Sequence, residues 1–167
     1  MKKFIFSFLL LWFSLFSYAN SSDYVEGVYS SKVENLLNKH VPGWRKAEVF
    51  KGAKTFFDKH WPGQSPVEGI GDFNGDGKID HAALVLSDKG IREIYIFLNS
   101  SKEYIVHYLG IGSHYIVVKP KGFKEFNWDI EEYIELENDT VENVTFRKAA
   151  TSWIFNNGQF KKFTSAD

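Results

Sequence analysis

The sequence predicts an α+β domain in which a twisted antiparallel sheet of about six to eight strands packs against one or two short N-terminal helices. Apolar residues recur at helical spacing before residue 60. From Val67 onward, short segments rich in β-branched and aromatic residues alternate with polar or glycine-containing breaks. An Asn-Gly dipeptide near the end of the chain is typical of a tight β-hairpin. No linker divides residues 20–167, so we expect a single domain.

The first residues have the features of a secretory signal peptide. Met1-Lys2-Lys3 is basic, residues 4–16 are apolar apart from two serines, and Ser17-Tyr18-Ala19 places small residues at positions −3 and −1 of a cleavage site. The apolar run is shorter than the roughly 20 residues that usually cross a bilayer. We expect a signal peptide over residues 1–19 and a periplasmic or secreted location. The alternative is an uncleaved anchor.

Composition and charge narrow the classes of partner. The chain has 20 basic and 21 acidic residues, which gives no electrostatic reason to expect nucleic acid or stable membrane insertion after signal cleavage. An unknown protein or glycan partner remains open. The absence of Cys excludes disulfides and thiolate metal sites. Sixteen Phe, eight Tyr and five Trp predict an aromatic core and leave room for an aromatic surface patch.

Two short helices are expected in the N-terminal third. Ser31 with Glu34 three residues later forms a capping box, and the apolar residues behind it have helical spacing until Pro42-Gly43. This pattern predicts a helix over residues 32–40. Residues 54–60 are followed by a similar Trp-Pro-Gly stop and predict a second helix.

The rest of the chain predicts strands. The segments 81–86, 91–98, 103–109 and 114–119 indicate an antiparallel meander. Residues 46–50 suggest a short strand, residues 130–137 alternate apolar and acidic positions, and residues 140–148 add another strand. The last hairpin joins 151–155 to 159–163 through Asn156-Asn157-Gly158.

The segment Gly71–Asp80 carries the strongest functional signal. In a twelve-position calcium loop, oxygen ligands come from positions 1, 3 and 5, from the carbonyl at 7 and through position 9, with Gly at position 6. The corresponding ligands are Asp72, Asn74, Asp76, the carbonyl of Lys78, and Asp80. Gly77 stands at the turn, but position 12 is Ala83, so the usual final carboxylate is missing. The sequence therefore predicts a Ca²⁺ site outside an EF-hand.

Gly-Asp-Phe-Asn-Gly-Asp-Gly-Lys-Ile-Asp, followed by an apolar strand, resembles the calcium loops of FG-GAP and VCBS repeats. The resemblance covers Gly71–Asp80 and the next strand, and it implies that the ninth-position Asp80 is a ligand and that no twelfth-position Glu is required. The chain has one copy, so the several-bladed propeller of integrin-like proteins is not implied. With its predicted signal peptide, one such loop and the final hairpin, the chain also resembles small exported bacterial proteins.

Two alternatives stand beside calcium. An Asx- and glycine-rich turn forms without metal for local backbone reasons, and another hard cation could take the same oxygens. Against the empty turn, three carboxylates within nine residues would repel one another by roughly 1 kcal/mol per close pair even in high dielectric. Because the twelfth ligand is missing, we expect a dissociation constant on the order of 10⁻⁵ to 10⁻³ M. Binding of the ion to the folded state would stabilise the fold.

Other constellations are weaker. The histidines His81, His107 and His114 lack metal-binding spacing, and the glutamates of residues 131–137 are explained by a solvent-facing strand. No catalytic residues are assigned. The sequence favours an exported, calcium-stabilised binding or inhibitory module without catalytic activity. The alternative is a small secreted or periplasmic hydrolase with an acidic or histidine site that sequence spacing does not reveal.

Overall fold

The computed structural model describes residues 23–166. The predicted signal peptide, residues 1–19, lies outside this range. The described residues form two short helices and thirteen strands, which confirms a β-rich α+β fold with antiparallel sheets. Within residues 23–166, no helix combines the length and the apolar character needed to cross a membrane.

Both predicted helices are present. Helix α1 (Ser31–His40) is capped by Ser30, whose Oγ accepts a hydrogen bond from the N–H of Val33, so the cap lies one residue before the predicted one. Helix α2 (Lys51–His60) begins three residues earlier than predicted and has no side-chain cap. Each helix buries one apolar face against the sheets.

The strands follow in chain order. They are β1 (Tyr24–Glu26), β2 (Arg45–Lys46), β3 (Glu48–Phe50), β4 (Glu68–Gly71), β5 (Asp80–Leu86), β6 (Arg92–Asn99), β7 (Tyr104–Ile111), β8 (Tyr115–Lys119), β9 (Lys124–Asn127), β10 (Glu132–Glu135), β11 (Thr140–Thr145), β12 (Ala149–Asn156) and β13 (Gln159–Ala166). The predicted final hairpin is β12–β13, with Asn157 and Gly158 at positive φ in its turn.

The strands of residues 23–166 are divided among four sheets rather than gathered in the predicted single sheet. One sheet has the order β2-β5-β6-β7, with β4 also paired to β5, and another has the order β13-β12-β11-β8. Strands β1 and β3 form one small antiparallel pair, and β9 and β10 form the other.

The predicted four-strand meander is correct for β5, β6 and β7 and wrong for β8, which pairs with β11. The chain turns away from β7 at Gly112, where a Cβ would lie 2.2 Å from Cδ1 of the buried Leu84. Only glycine fits so close to the core at this corner, after which the chain continues into β8 of the other sheet.

The two large sheets meet where β4 approaches β8. The N–H of Ile116 donates to the carbonyl of Pro66 at 2.9 Å. The carboxamide of Gln64 then takes the place of a neighbouring strand, since it accepts from the N–H of Val118 at 2.9 Å and donates to its carbonyl at 3.0 Å. These contacts cover the edge of β8 without a regular strand pair.

Candidate metal centre

The predicted metal loop connects β4 to β5 directly. Gly71 and Asp80 are paired across the base of the loop, so residues 72–79 form a closed excursion between two antiparallel strands. A strand on each side is what the sequence indicated, and it distinguishes the loop from a helix-loop-helix hand. Gly75 and Gly77 have φ of 75° and 79°, and this left-handed conformation allows the chain to turn twice within three residues.

Side-chain oxygens of the loop accept hydrogen bonds from its own main chain. The carboxylate of Asp72 accepts from the N–H of Asp76 at 3.0 Å and from the N–H of Gly77 at 2.8 Å. Asn74 Oδ1 also accepts from the N–H of Asp76, and Asp76 Oδ1 accepts from the N–H of Lys78. These local bonds wind the loop and fix three of the predicted ligand side chains in one short segment.

Asp80 differs from the other carboxylates because it is fully buried. Its Oδ2 accepts from the N–H of Phe73 at 2.9 Å, and its Oδ1 accepts from the N–H of Asn99 at 2.7 Å. Burial raises the pKa of Asp80, the two amides oppose this shift, and the negative charges of Asp76 and Asp72 add to it. Through these two hydrogen bonds Asp80 connects the loop to the end of β6. Its carboxyl group also lies near the negatively charged side chains of Asp72 and Asp76.

Lys78 neutralises part of the charge at the exposed side of the loop. Its Nζ lies 3.1 Å from Asp76 Oδ2, and this side-chain hydrogen bond is the largest cause of the lowered pKa of Asp76. The Lys78 carbonyl is the predicted seventh-position ligand, whereas its ammonium competes with a cation for Asp76. Because both side chains are partly exposed to solvent, the ion pair is weak and can open at little cost.

A second loop, which the sequence analysis did not assign to the site, packs against the first. The N–H of Asp72 donates to Asp139 Oδ2 at 2.8 Å, and the N–H of Asp139 donates to the Asp72 carbonyl at 3.2 Å. Asn138 covers Gly75 so closely that a Cβ on Gly75 would lie 2.4 Å from Asn138 Oδ1. The only signal in the sequence was an Asn-Asp pair directly after the acidic segment 130–137.

Position 12 contributes no ligand. Ala83 is buried in β5, where it pairs with Glu68 on one side and Tyr95 on the other. The carboxylate of Glu68 does not replace the missing ligand, because it accepts from the N–H of Ser30 at 2.6 Å and from Ser30 Oγ at 2.7 Å. Glu68 therefore serves the N-terminus of α1.

The donor chemistry of the loop fits a hard cation such as Ca²⁺, which takes carboxylate, amide and carbonyl oxygens. Over residues 23–166, no group of three or more His, Cys, Asp or Glu side chains comes together closely enough to hold a metal ion. Asn74 and the Lys78 carbonyl are outside those residue types, and Asp80 directs both oxygens at main-chain amides. A cation bound by all five predicted ligands would thus need the loop to tighten around it.

A cleft of about 690 Å³ adjoins this centre through Asp139. Its walls include the exposed side chains of Val28 and Ile70, and Glu68 is buried in it. Since the Glu68 carboxylate is already bonded to Ser30, the cleft does not present a free acidic group at its base.

The histidines occupy separate environments. His81 packs near Tyr104, His107 contacts the rings of Phe155 and Phe160, and burial lowers the pKa of both imidazoles. The Nδ1 of His114 accepts from the N–H of Phe146 at 3.2 Å. Packing accounts for His107 and a local hydrogen bond for His114, whereas the Nδ1 of His81 is buried without a hydrogen-bond partner among the described residues.

The acidic segment 130–137 lies in the β9–β10 hairpin, where Glu131, Glu132, Glu135 and Glu137 are exposed. Glu132 pairs with Asn127 across this hairpin, apart from the strands that carry His107 and His114.

Comparison with known protein families, with curated protein sequences and with solved structures finds no match. The interpretation of the centre therefore depends on the chemistry of its own residues.

Proposed function

We propose that the chain is an exported calcium-binding protein, located in the periplasm or outside the cell, whose metal stabilises a non-catalytic binding module. Asp72, Asn74, Asp76, the carbonyl of Lys78, and Asp80 are the proposed ligands. The observation that carries the proposal is the concentration of carboxylates in one closed loop, with the buried carboxyl of Asp80 at its base.

Electrostatics support a cation at this position. Asp80 is desolvated and lies near the charges of Asp72 and Asp76, and both effects raise its pKa. A divalent cation would reverse the repulsion and favour the ionised form of all three groups. An empty turn would gain nothing from this density of like charge, because Asn side chains form the same Asx turns without a charge.

The position of the loop supports a structural role for the metal. It joins two paired strands at Gly71 and Asp80, contacts the end of β6 through Asn99, and is bonded to Asp139. A bound cation would therefore restrain elements that are distant in sequence. Ligand linkage gives about 2.7 kcal/mol of stabilisation when the free ion is at 100 times its dissociation constant.

The test is the thermal midpoint of the purified protein in chelator, in Ca²⁺ and in Mg²⁺. We expect Ca²⁺ to raise the midpoint and Asp76→Ala to abolish the rise. Asp58→Ala is the matched control, because Asp58 is also an exposed carboxylate paired with a lysine, at 2.7 Å from Lys54 Nζ. A wild-type midpoint that does not move in saturating Ca²⁺ would refute the calcium proposal.

A further inference from the structure

The β9–β10 hairpin exposes an unusual amount of apolar surface. Its segment contains four large hydrophobic residues that remain substantially exposed: Phe123 (39%), Trp128 (49%), Ile130 (55%) and Tyr133 (74%). Scattered exposed apolar residues need no explanation, but a contiguous group marks an interaction surface.

The aromatic rings form one face of the hairpin. Phe126 and Tyr133 are cross-strand partners with ring centroids 5.0 Å apart, and Phe126 contacts Trp128 at 4.9 Å. Both contacts are edge-to-face, at interplanar angles of 69° and 80°. We call Phe126, Trp128 and Tyr133 the aromatic face. The opposite face carries Glu125, which is buried against Lys119, so the aromatic face points away from the rest of the domain.

The hairpin is fixed to the domain at several points. The main-chain N–H of Trp128 donates to the carbonyl of Thr164 at 3.0 Å, and the main-chain N–H of Thr164 donates to Asp129 Oδ2 at 3.2 Å. At the other end, Gly122 and Leu136 are joined by a main-chain hydrogen bond of 2.8 Å. The aromatic face is therefore held in place before any partner arrives, which lowers the entropy cost of binding.

The charges around the aromatic face have one predominant sign. The segment 121–137 that contains the hairpin carries five exposed carboxylates, against the exposed ammonium groups of Lys121 and Lys124. The five are Asp129, Glu131, Glu132, Glu135 and Glu137. Such a surface repels acidic polymers and attracts cations.

We infer that the aromatic face and the carboxylates of its hairpin, with Glu135 on the same face as Tyr133, bind a basic polypeptide segment through arginine side chains. Guanidinium groups stack on Trp and Tyr rings and pair with carboxylates in bidentate geometry, so one side chain uses both features of the surface. A neutral sugar would stack on the rings and donate hydroxyl hydrogen bonds to the carboxylates, but it would leave their charge uncompensated. The inference rests on the binding half of the proposed function and is independent of the metal.

The test uses a fluorescent octa-arginine peptide, its citrulline counterpart of equal length without charge, and cellotetraose. We expect the arginine peptide to bind, with affinity that falls as salt is raised, and to shift backbone amide resonances of residues 123–135. Tyr133→Ala and Trp128→Ala should each weaken binding by about tenfold or more. Glu135→Gln removes the carboxylate that strand alternation places on the same face as Tyr133, and it should weaken binding severalfold. Glu132→Gln, on the opposite face with Asn127, should weaken it less.

Control variants remove equally exposed groups elsewhere. Tyr108→Ala deletes a ring that is 56% exposed on β7, and Glu103→Gln removes an exposed charge in the loop before β7. Both should bind like the wild type. The inference is overturned if the arginine peptide does not bind, if its amide shifts lie outside the hairpin, if the citrulline peptide binds equally well, or if only cellotetraose binds.

Asp76→Ala separates the two proposals. Wild-type peptide affinity in this variant would support the aromatic face even if Ca²⁺ had no effect on the midpoint. A calcium-dependent midpoint without peptide binding would refute the aromatic face alone.

Discussion

The main-chain N–H of Asp72 donates to Asp139 Oδ2, at 2.8 Å and across 67 residues of sequence. The other carboxylate oxygen of Asp139 accepts from the N–H of Lys121 at 2.9 Å. Lys121 precedes β9 and Asp139 follows β10, so a single carboxylate ties the first proposed calcium ligand to both ends of the segment that contains the hairpin.

We predict that Asp139→Ala destabilises the protein and weakens its response to Ca²⁺, although Asp139 is not a proposed ligand. Two main-chain donors lose a charged acceptor, one in a partly buried bond and one in an exposed bond, and we expect a loss of about 1–2 kcal/mol. Asp72 also loses the contact that fixes it. Urea unfolding and the calcium-induced shift of the midpoint measure the two effects.

Glu137→Ala is the control for Asp139→Ala. It removes an exposed carboxylate two residues earlier and changes the local charge equally. If the two variants behaved alike, the effect would come from charge and not from the hydrogen bonds of Asp139.

We predict that Tyr29→Phe costs about 1–3 kcal/mol, the penalty for buried groups left without a partner. The Tyr29 hydroxyl donates to the Leu84 carbonyl at 2.5 Å and accepts from the N–H of Ala47 at 3.1 Å. It fills the gap where β5 changes its partner from β4 to β2. Urea unfolding measures the loss. Tyr108→Phe removes an exposed hydroxyl and should change stability little, so equal losses in both variants would contradict the prediction.

Local patterns predicted the features that depend on neighbouring residues. The residues proposed as calcium ligands lie within nine positions of one loop, and its turns at Gly75 and Gly77 follow from the sequence itself. Helices α1 and α2 and the meander β5-β6-β7 were also found, because each strand of the meander pairs with the next one along the chain. The predicted strand over residues 130–137 shortened to β10, since its ends enter turns.

The features that sequence analysis missed depend on distant contacts or on very short segments. The pairing of β8 with β11 joins segments more than 20 residues apart, and the tight corner at Gly112 before it is set by the distant Leu84. Strand β4, Glu-Gly-Ile-Gly, has two glycines and therefore a low strand propensity. It is nevertheless a strand in the structure, where it pairs with β5. Asp139 contacts the loop only in the folded protein, because it lies 67 residues from Asp72 in the sequence. No local sequence pattern predicts such a contact.

We predict that Lys119→Met destabilises the protein by about 3–5 kcal/mol at pH 7, the usual cost of leaving buried charges unpaired. Lys119 Nζ contacts the carboxylates of Glu125 and Glu142, the latter at 2.8 Å, and all three groups are buried. Urea unfolding measures the loss. Lys54→Met, which breaks an exposed ion pair, should cost at most about 1 kcal/mol.

The loss in Lys119→Met should shrink in acid. Burial raises the pKa of Glu125 above its ordinary value, Lys119 opposes the shift, and Glu142 adds to it. A raised folded pKa means that the folded state binds the proton more tightly, so the contribution of Glu125 to stability is full below its ordinary pKa and is lost as pH rises through the folded pKa. Without Lys119 the pKa of Glu125 in the folded state rises further, so its protonated form stabilises the protein up to a higher pH. Equal losses at pH 7 and at pH 4 would contradict the prediction.

We predict that Gly69→Ala forces β4 and β8 apart and that Val118→Ala relieves the strain. A Cβ on Gly69 would lie 2.6 Å from Val118 Cγ2, a distance that real contacts do not allow. Overpacking of this kind costs about 1–3 kcal/mol. In the Val118→Ala background the added methyl fills the space that the valine left, so its cost should fall or vanish. A double-mutant cycle by urea unfolding gives the coupling energy, and additive losses would mean that the two residues do not set the distance between the sheets.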